Sequence, residues 1–400
     1  MTNVTIRTLP KNALTTPTMS PPSASRYLTY LLLLVPPLVV TFYLLVSFPP
    51  PPGPLPVPSY QGLASLPTDS RAREVYSENW VDGGEGAYVD LPMGRTRYWL
   101  VGPEKGKKIV LIHGLSVPAL IWGPLVPPLV AAGHRVLLYD LYGRGYSAAP
   151  VGATYDAQLY VTQLALLLQH LGWQKTRVGG VSMGGAIAAA FVATFPGLVE
   201  SDVVLVSSAG LVEASDLPRT AKVMSSPLIQ ALTANQFISA YLRRLASRTE
   251  QDTGETHEVL LRELVRLQSA HLPGFNRAVS SSLRLGPVTG MRWAFESEHW
   301  NGKRVLLLHG TADHTVPSAH SARIGALIER AGRNESNSKE TQKPNSTPQR
   351  TGKTKKAKQA PPSNKDGERV RVALIADAGH SLTWTHSREV GEVVCKFLAG

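Results

Sequence analysis

Only one cysteine, Cys395, occurs in 400 residues. A single thiol excludes an intramolecular disulfide and any cysteine-based metal cluster, whatever the compartment. Charged residues are also sparse, at 18%, and their gaps are informative. Residues 1–26 carry no acid, residues 27–48 carry no charge of either sign, and residues 333–369 contain almost no apolar side chain. The first gap excludes an ordinary mixed-charge surface, the second a solvent-exposed segment, and the third a packed one.

Each gap has a positive reading. Residues 1–26, with Arg7, Lys11 and Arg26 among many Ser and Thr, form a flexible basic leader. The uncharged run 27–48 has the length of about 20 residues that a helix needs to cross a bilayer, and is expected to be a transmembrane anchor. It exceeds the apolar core of a cleaved signal peptide, the main alternative, and no small-x-small cleavage site follows it. Basic residues lie before the run, and the next one after it is Arg71. The positive-inside rule then places the N-terminus in the cytosol. An endoplasmic reticulum or secretory membrane is expected, with a mitochondrial location as the alternative suggested by the acid-free leader. Prolines from 49 onward predict an extended stalk over 49–73.

The net charge of +12 suggests nucleic acid until its distribution is considered. Between Arg333 and Arg369 there are ten Lys or Arg against four Asp or Glu, so half of the excess sits in one polar tract. No base-stacking aromatic accompanies it, and no nucleic-acid partner is expected. The tract is read as a disordered surface insertion that cannot offset its ordering entropy. The run Lys353–Lys358 is a lipid-headgroup candidate or simply a solvated stretch. Asn334-Glu335-Ser336 and Asn345-Ser346-Thr347 are glycosylation acceptor patterns, usable only in a secretory lumen.

From about Glu74 to the end the pattern is that of one large α/β domain. Segments 86–91 and 96–101 read as an antiparallel opening. Strands at 108–112, 135–141, 177–181, 203–206, 304–308 and 370–375 then alternate with helices, giving about eight mostly parallel strands. Residues 211–300, helical by pattern, interrupt the series as a cap over the carboxyl ends of the strands, where open α/β sheets bind ligands.

Gly180-Val181-Ser182-Met183-Gly184 stands where one strand stops and an alanine-rich helix begins. A glycine-rich turn is the bland explanation. The strand-turn-helix context favours Ser182 as a nucleophile on a strained bend. A serine hydroxyl needs a base, and the base needs an orienting partner. Asp313 follows the strand at 304–308, and His380 follows the last strand. The order Ser, Asp, His brings all three to one sheet edge, and the relay calls for no cofactor or metal. Asp377 reads as a turn residue, His314 and His386 as surface or local-structure residues, Asp140 as a strand cap, and Trp122 as packing rather than pocket. The backbone amides of Met183 and Leu115 are assigned to the oxyanion hole, Leu115 from its place after His113-Gly114.

His113-Gly114, the run Asp140-Leu141-Tyr142-Gly143-Arg144-Gly145-Tyr146-Ser147, the serine motif, Gly310-Thr311-Ala312-Asp313 and Gly379-His380 together resemble the α/β-hydrolase superfamily over roughly 85–400. With the apolar N-terminal run they are similar to membrane-anchored monoacylglycerol-lipase-like members. This resemblance implies hydrolysis of carboxylic esters with lipid-like or small apolar acyl groups. Serine at the elbow argues against the epoxide hydrolase and haloalkane dehalogenase branches, which carry Asp there. Carbon–carbon bond hydrolysis, acyl transfer or perhydrolysis use the same triad. A scaffold that has kept the fold without turnover is the reading from another class.

Overall fold

The computed structural model describes residues 24–47, 57–213, 256–340 and 369–400. They belong to two units, Met1–Pro54 and Leu55–Gly400. In the first, α1 (Ala24–Ser47) contains Pro36 and Pro37, and its side chains from 28 to 44 are exposed. The membrane-spanning helix expected over 27–48 is not found. Among the described residues no helix is long and apolar enough to cross a membrane. Most of the leader, 1–23, lies outside the described residues.

The second unit is built on an eight-stranded sheet: β1 (Glu85–Leu91), β2 (Gly94–Val101), β3 (Lys107–Ile112), β4 (His134–Tyr139), β5 (Thr176–Val181), β6 (Val199–Val206), β7 (Arg304–Gly310) and β8 (Val370–Ile375). The spatial order is β8-β7-β6-β5-β3-β4-β2-β1. β2 runs antiparallel to β1 and β4, and the other pairings are parallel. The helices are α2 (Arg71–Val75), α3 (Val126–Ala131), α4 (Ala157–His170), α5 (Met183–Thr194), α6 (Thr256–His271), α7 (Phe275–Leu285), α8 (Arg292–Phe295), α9 (Ala319–Glu340), α10 (Leu382–Thr385) and α11 (Ser387–Ala399).

Central strands are apolar on both faces, as helices on both sides require. In β3, Val110 and Ile112 join the cluster around α4 and α5. Ile109 and Leu111 point the other way, into the cluster with α3 and α11. Successive side chains of a strand alternate between faces, so one short run serves two cores. Small residues let α5 lie close to the sheet: Ala186, Ala188, Ala189 and Ala190 are fully buried.

Three boundaries differ from the sequence expectation. The stalk expected over 49–73 is shorter: 48–56 lie outside the described residues, and 57–73 fold against the sheet unit. Ser59-Tyr60 pair with Ala149-Pro150, and the buried Leu63 donates its N–H to Gly145 O at 2.8 Å. Leu63, Ala72 and Tyr76 are isolated apolar residues in a polar, Pro-containing stretch, so no periodicity announces their burial. Secondly, the backbone of α9 stays helical to Glu340, inside the expected insertion. Its last residue, Arg369, donates to Trp300 O at 2.7 Å and Ile328 O at 3.0 Å; 341–368 lie outside the described residues. Thirdly, only 256–300 of the expected cap is described beyond residue 213, and it is helical in α6, α7 and α8.

Candidate active site

Ser182 sits at the turn from β5 into α5 with φ 56° and ψ −122°, a region disfavoured for L-residues. Its neighbours must be glycine. A Cβ on Gly180 would collide with the Gly184 carbonyl, and one on Gly184 with the carbonyls of Ile112 and His113. Strain of this kind costs about 1–3 kcal/mol and persists only where the surroundings fix it. Here Ser182 N donates to Val206 O at 2.9 Å, and Ser182 O accepts from Gly185 N and Ala209 N, both at 3.0 Å.

Ser182 Oγ lies 3.0 Å from His380 Nε2, and His380 Nδ1 lies 2.8 Å from Asp313 Oδ2. The carboxylate accepts at Nδ1, so that nitrogen carries the proton and Nε2 turns its lone pair to the serine. Two loops must meet for this. A Cβ on Gly310 would strike Ala378 O, while Ala312 N donates to Ala378 O at 3.0 Å and Thr311 N to Ile375 O at 2.9 Å. The loops after β7 and β8 are thus joined by backbone bonds beneath the two side chains.

Asp313 is buried, which by itself would push its pKa up. Hydrogen bonds from His309 and His380, the charge of His380 and the Val316 amide outweigh burial and hold the carboxyl well below the usual range. Its Oδ1 accepts Thr315 N and Val316 N, both at 2.9 Å. His309 Nε2 lies 2.9 Å from Val316 O and 3.3 Å from Asp313 Oδ2. Facing two acceptors, it carries a proton; Nδ1 then accepts from the Ser321 hydroxyl at 2.7 Å.

A family model for the α/β-hydrolase fold matches residues 107–340, more than half of the chain. The chain belongs to the α/β-hydrolase family. It is 28% identical over 232 residues to a 2-hydroxy-6-oxo-2,4-heptadienoate hydrolase of Pseudomonas putida, covering 56% of this chain and 78% of the relative. It is 35% identical over 132 residues to Lipase 1 of Psychrobacter immobilis, covering 32% of this chain and 40% of that one. Among solved structures, a membrane phospholipase A described as a bacterial virulence factor superposes with a TM-score of 0.55 at 20% identity, covering 94% of this chain and 98% of that one. At that identity the superposition speaks for the fold alone.

In this α/β-hydrolase the loop after β3 passes beside the elbow: a Cβ on Gly114 would lie 3.3 Å from Ser182 Cβ. Leu115 follows Gly114 directly in this loop, and Met183 follows Ser182 as the first residue of α5. His113 is fully buried, donates from Nδ1 to Gly114 O at 2.9 Å and accepts Leu141 N at Nε2, also at 2.9 Å. Burial, reinforced by the nearby Arg144 charge, pulls its pKa down to about 3. It is a neutral clasp between the loops after β3 and β4.

Asp140 does more than cap a strand. It accepts Tyr76 OH at 3.0 Å, Ala119 N at 2.9 Å and Tyr146 N at 2.8 Å, and burial pushes its pKa up to about 6. Asp377 is exposed at φ 55° and its N–H donates to Thr311 Oγ1, whereas the carboxylate that meets His380 is that of Asp313. Trp122 is buried with the α3 and α11 cluster, as packing predicts. His309, four residues before Asp313, had no assigned role from sequence. A histidine closing an otherwise apolar strand was the available signal. Among the described residues no group of His, Cys, Asp and Glu suits a metal ion.

Proposed function

We propose that the protein is a serine hydrolase that cleaves carboxylic esters with apolar, lipid-like acyl groups through an acyl-enzyme on Ser182. The observation that carries this reading is the unbroken line Asp313–His380–Ser182, with 2.8 Å and 3.0 Å separations, ending on a strained serine. His380 Nε2 takes the hydroxyl proton as Oγ attacks the acyl carbon, and Asp313 stabilises the imidazolium that forms. The developing oxyanion accepts from the amides of Met183 and Leu115. The same imidazolium protonates the departing alcohol, and a water deprotonated by His380 then releases the acid.

The lipase relative supports an ester substrate. A second reading, hydrolysis of a carbon–carbon bond beside a ketone, is favoured by the relative matched over 78% of its length, whose named keto-enoate contains no ester. We also place the chain at a membrane surface, supported by the exposed leucines, valines and aromatics of α1. A secretory location, with a mitochondrial one as the alternative, is part of this proposal, as is the absence of a cofactor requirement.

A fluorophosphonate probe tests the core of the reading. Wild-type protein is expected to label at one site and Ser182→Ala to lose the label and at least about 10³-fold in ester turnover. Folded wild type that does not label would sink the proposal. Turnover of p-nitrophenyl esters of rising chain length, set against a vinylogous diketone, separates the two substrate classes.

A further inference from the structure

The motif around Arg144 is used by neither triad nor elbow, yet it holds a guanidinium with no exposed surface. Burying a charge costs several kcal/mol even after relaxation, and a Met or Leu would fill the same space without that cost. The usual compensation is a carboxylate, but among the described residues Arg144 has none. Its Nε donates to Leu115 O at 2.8 Å and Nη1 to Tyr142 O at 2.9 Å and to the Tyr160 hydroxyl. Nη2 reaches Ser282 Oγ at 3.1 Å and Ala278 O at 3.5 Å, both on α7. All five of these partners are neutral, so among the described residues no partner cancels the positive charge where it stands.

A second buried side chain grips the same loop. Gln268, on α6 and fully buried, donates from Nε2 to Ser116 O at 3.2 Å and accepts Gly145 N at Oε1 at 2.8 Å. Two consecutive carbonyls of the loop beside Ser182, those of Leu115 and Ser116, are therefore each held by a buried donor. One donor comes from the loop after β4 and one from the cap, while Arg144 is itself tied to α7. Gly143 permits this junction: a Cβ there would collide with Ala278 Cβ.

We propose that Arg144 and Gln268 are positioning residues for the oxyanion-binding loop, which makes α6 and α7 part of the catalytic geometry. The inference rests on the serine-hydrolase reading. The bonds to the two carbonyls fix the Leu115–Ser116 and Ser116–Val117 peptide planes, and so hold in place the loop segment that directly follows the Leu115 amide. The buried guanidinium, bonded to the loop whose Gly114 passes beside Ser182, adds a favourable potential where negative charge appears only in the transition state. Interactions of that kind raise kcat and leave ground-state binding unchanged.

The test uses the full chain with Gln268→Met, Arg144→Lys and Arg144→Met, each checked for an unaltered melting temperature. Gln268→Met is expected to lower kcat about 10-fold and Arg144→Met about 100-fold, with KM within about twofold of wild type. Arg144→Lys keeps the charge but not the fork and should fall between wild type and Arg144→Met. An alkyl trifluoromethyl ketone gives the decisive readout. Ser182 Oγ adds to its carbonyl carbon, the π pair moves onto oxygen, and the serine proton passes to His380. Its inhibition constant should rise by the same factor as kcat falls, while that of the matching methyl ketone stays constant. If Arg144→Met does not fold, Gln268→Met carries the test alone. Losses confined to KM, or trifluoromethyl ketone affinity that does not move as kcat falls, overturn the inference. A wild type that fails to take the fluorophosphonate label refutes the hydrolase reading instead, so the two failures are distinguishable.

Discussion

Two buried carboxylates follow strands of the same sheet, Asp313 after β7 and Asp140 after β4, and their surroundings drive them in opposite directions. Asp313 receives two imidazole contacts and two amides, and it is held well below the usual carboxylate range. Asp140 receives one phenol and two amides, and burial lifts it to about 6. The number of hydrogen bonds is similar. What differs is the balance: at Asp140 burial outweighs the three hydrogen bonds and the charge of Arg97, whereas at Asp313 the hydrogen bonds of two imidazoles and the charge of His380 outweigh burial. Asp313 is thereby suited to steady an imidazolium, whereas Asp140 knots the segment at Tyr76, the turn at Ala119 and the loop at Tyr146 into one body.

The largest effect expected from breaking this contrast is at Asp313. Asp313→Asn keeps the shape but presents either an amide N–H or a weaker acceptor to His380, so the imidazole loses the tautomer that faces Nε2 to the serine. A fall in kcat of about 10⁴-fold is expected, with KM changed far less. Steady-state kinetics on a p-nitrophenyl ester measures it, and near-normal kcat would mean that another acid orients His380.

The next effect is thermodynamic and distinguishes the two carboxylates by sign. The folded-state pKa of Asp140 is raised from 3.8 to about 6. Between those values the native state retains a proton that the unfolded chain has lost, so stability falls as pH rises through that window. Asp313 is shifted downward, so its contribution is present above its unfolded value and is lost as pH falls. Asparagine does not titrate. From pH 4 to pH 7, wild type should lose on the order of 3 kcal/mol relative to Asp140→Asn in urea unfolding. Relative to Asp313→Asn, it should gain as pH rises from about 2 to 4. A flat Asp140 difference would show that its burial leaves the titration ordinary.

The residues of the proposed triad were legible because each stands beside a signal of short range: glycines at the elbow, Gly310 three residues before the acid, Gly379 just before the base. Strand order and alternation fixed the eight strands, since apolar runs of six or so residues separated by helical patterns leave few arrangements. What escaped were contacts between distant segments. Nothing local marks Leu63 as a lid over Gly145, or Gln268 as a partner of Ser116, 152 residues away. A lone leucine among prolines and a glutamine inside an amphipathic helix each have an ordinary surface explanation, and only the tertiary fold removes it. The apolar run at 27–48 is the reverse case. Composition alone suggested a crossing, whereas among the described residues no helix is long and apolar enough to cross a membrane.

Asp377 supplies the smallest expected effect and the sharpest control, because it is a third carboxylate at the same sheet edge and stands only three residues before His380. It is exposed, its φ is 55°, and its N–H donates to Thr311 Oγ1 at 2.9 Å. If proximity in sequence to the base were what qualifies an acid, Asp377 would be the better candidate than Asp313. Its value should instead be conformational, since Asp and Asn tolerate the left-handed region that most residues avoid. Asp377→Asn is expected to leave kcat within about twofold and stability within about 0.5 kcal/mol. Asp377→Ala should lose about 1 kcal/mol through the backbone while keeping its kcat. Measuring both variants separates the two roles: a kcat loss shared by Asn and Ala would transfer the orienting role from Asp313 to Asp377. A loss of stability confined to Ala leaves the carboxylate irrelevant and the turn essential.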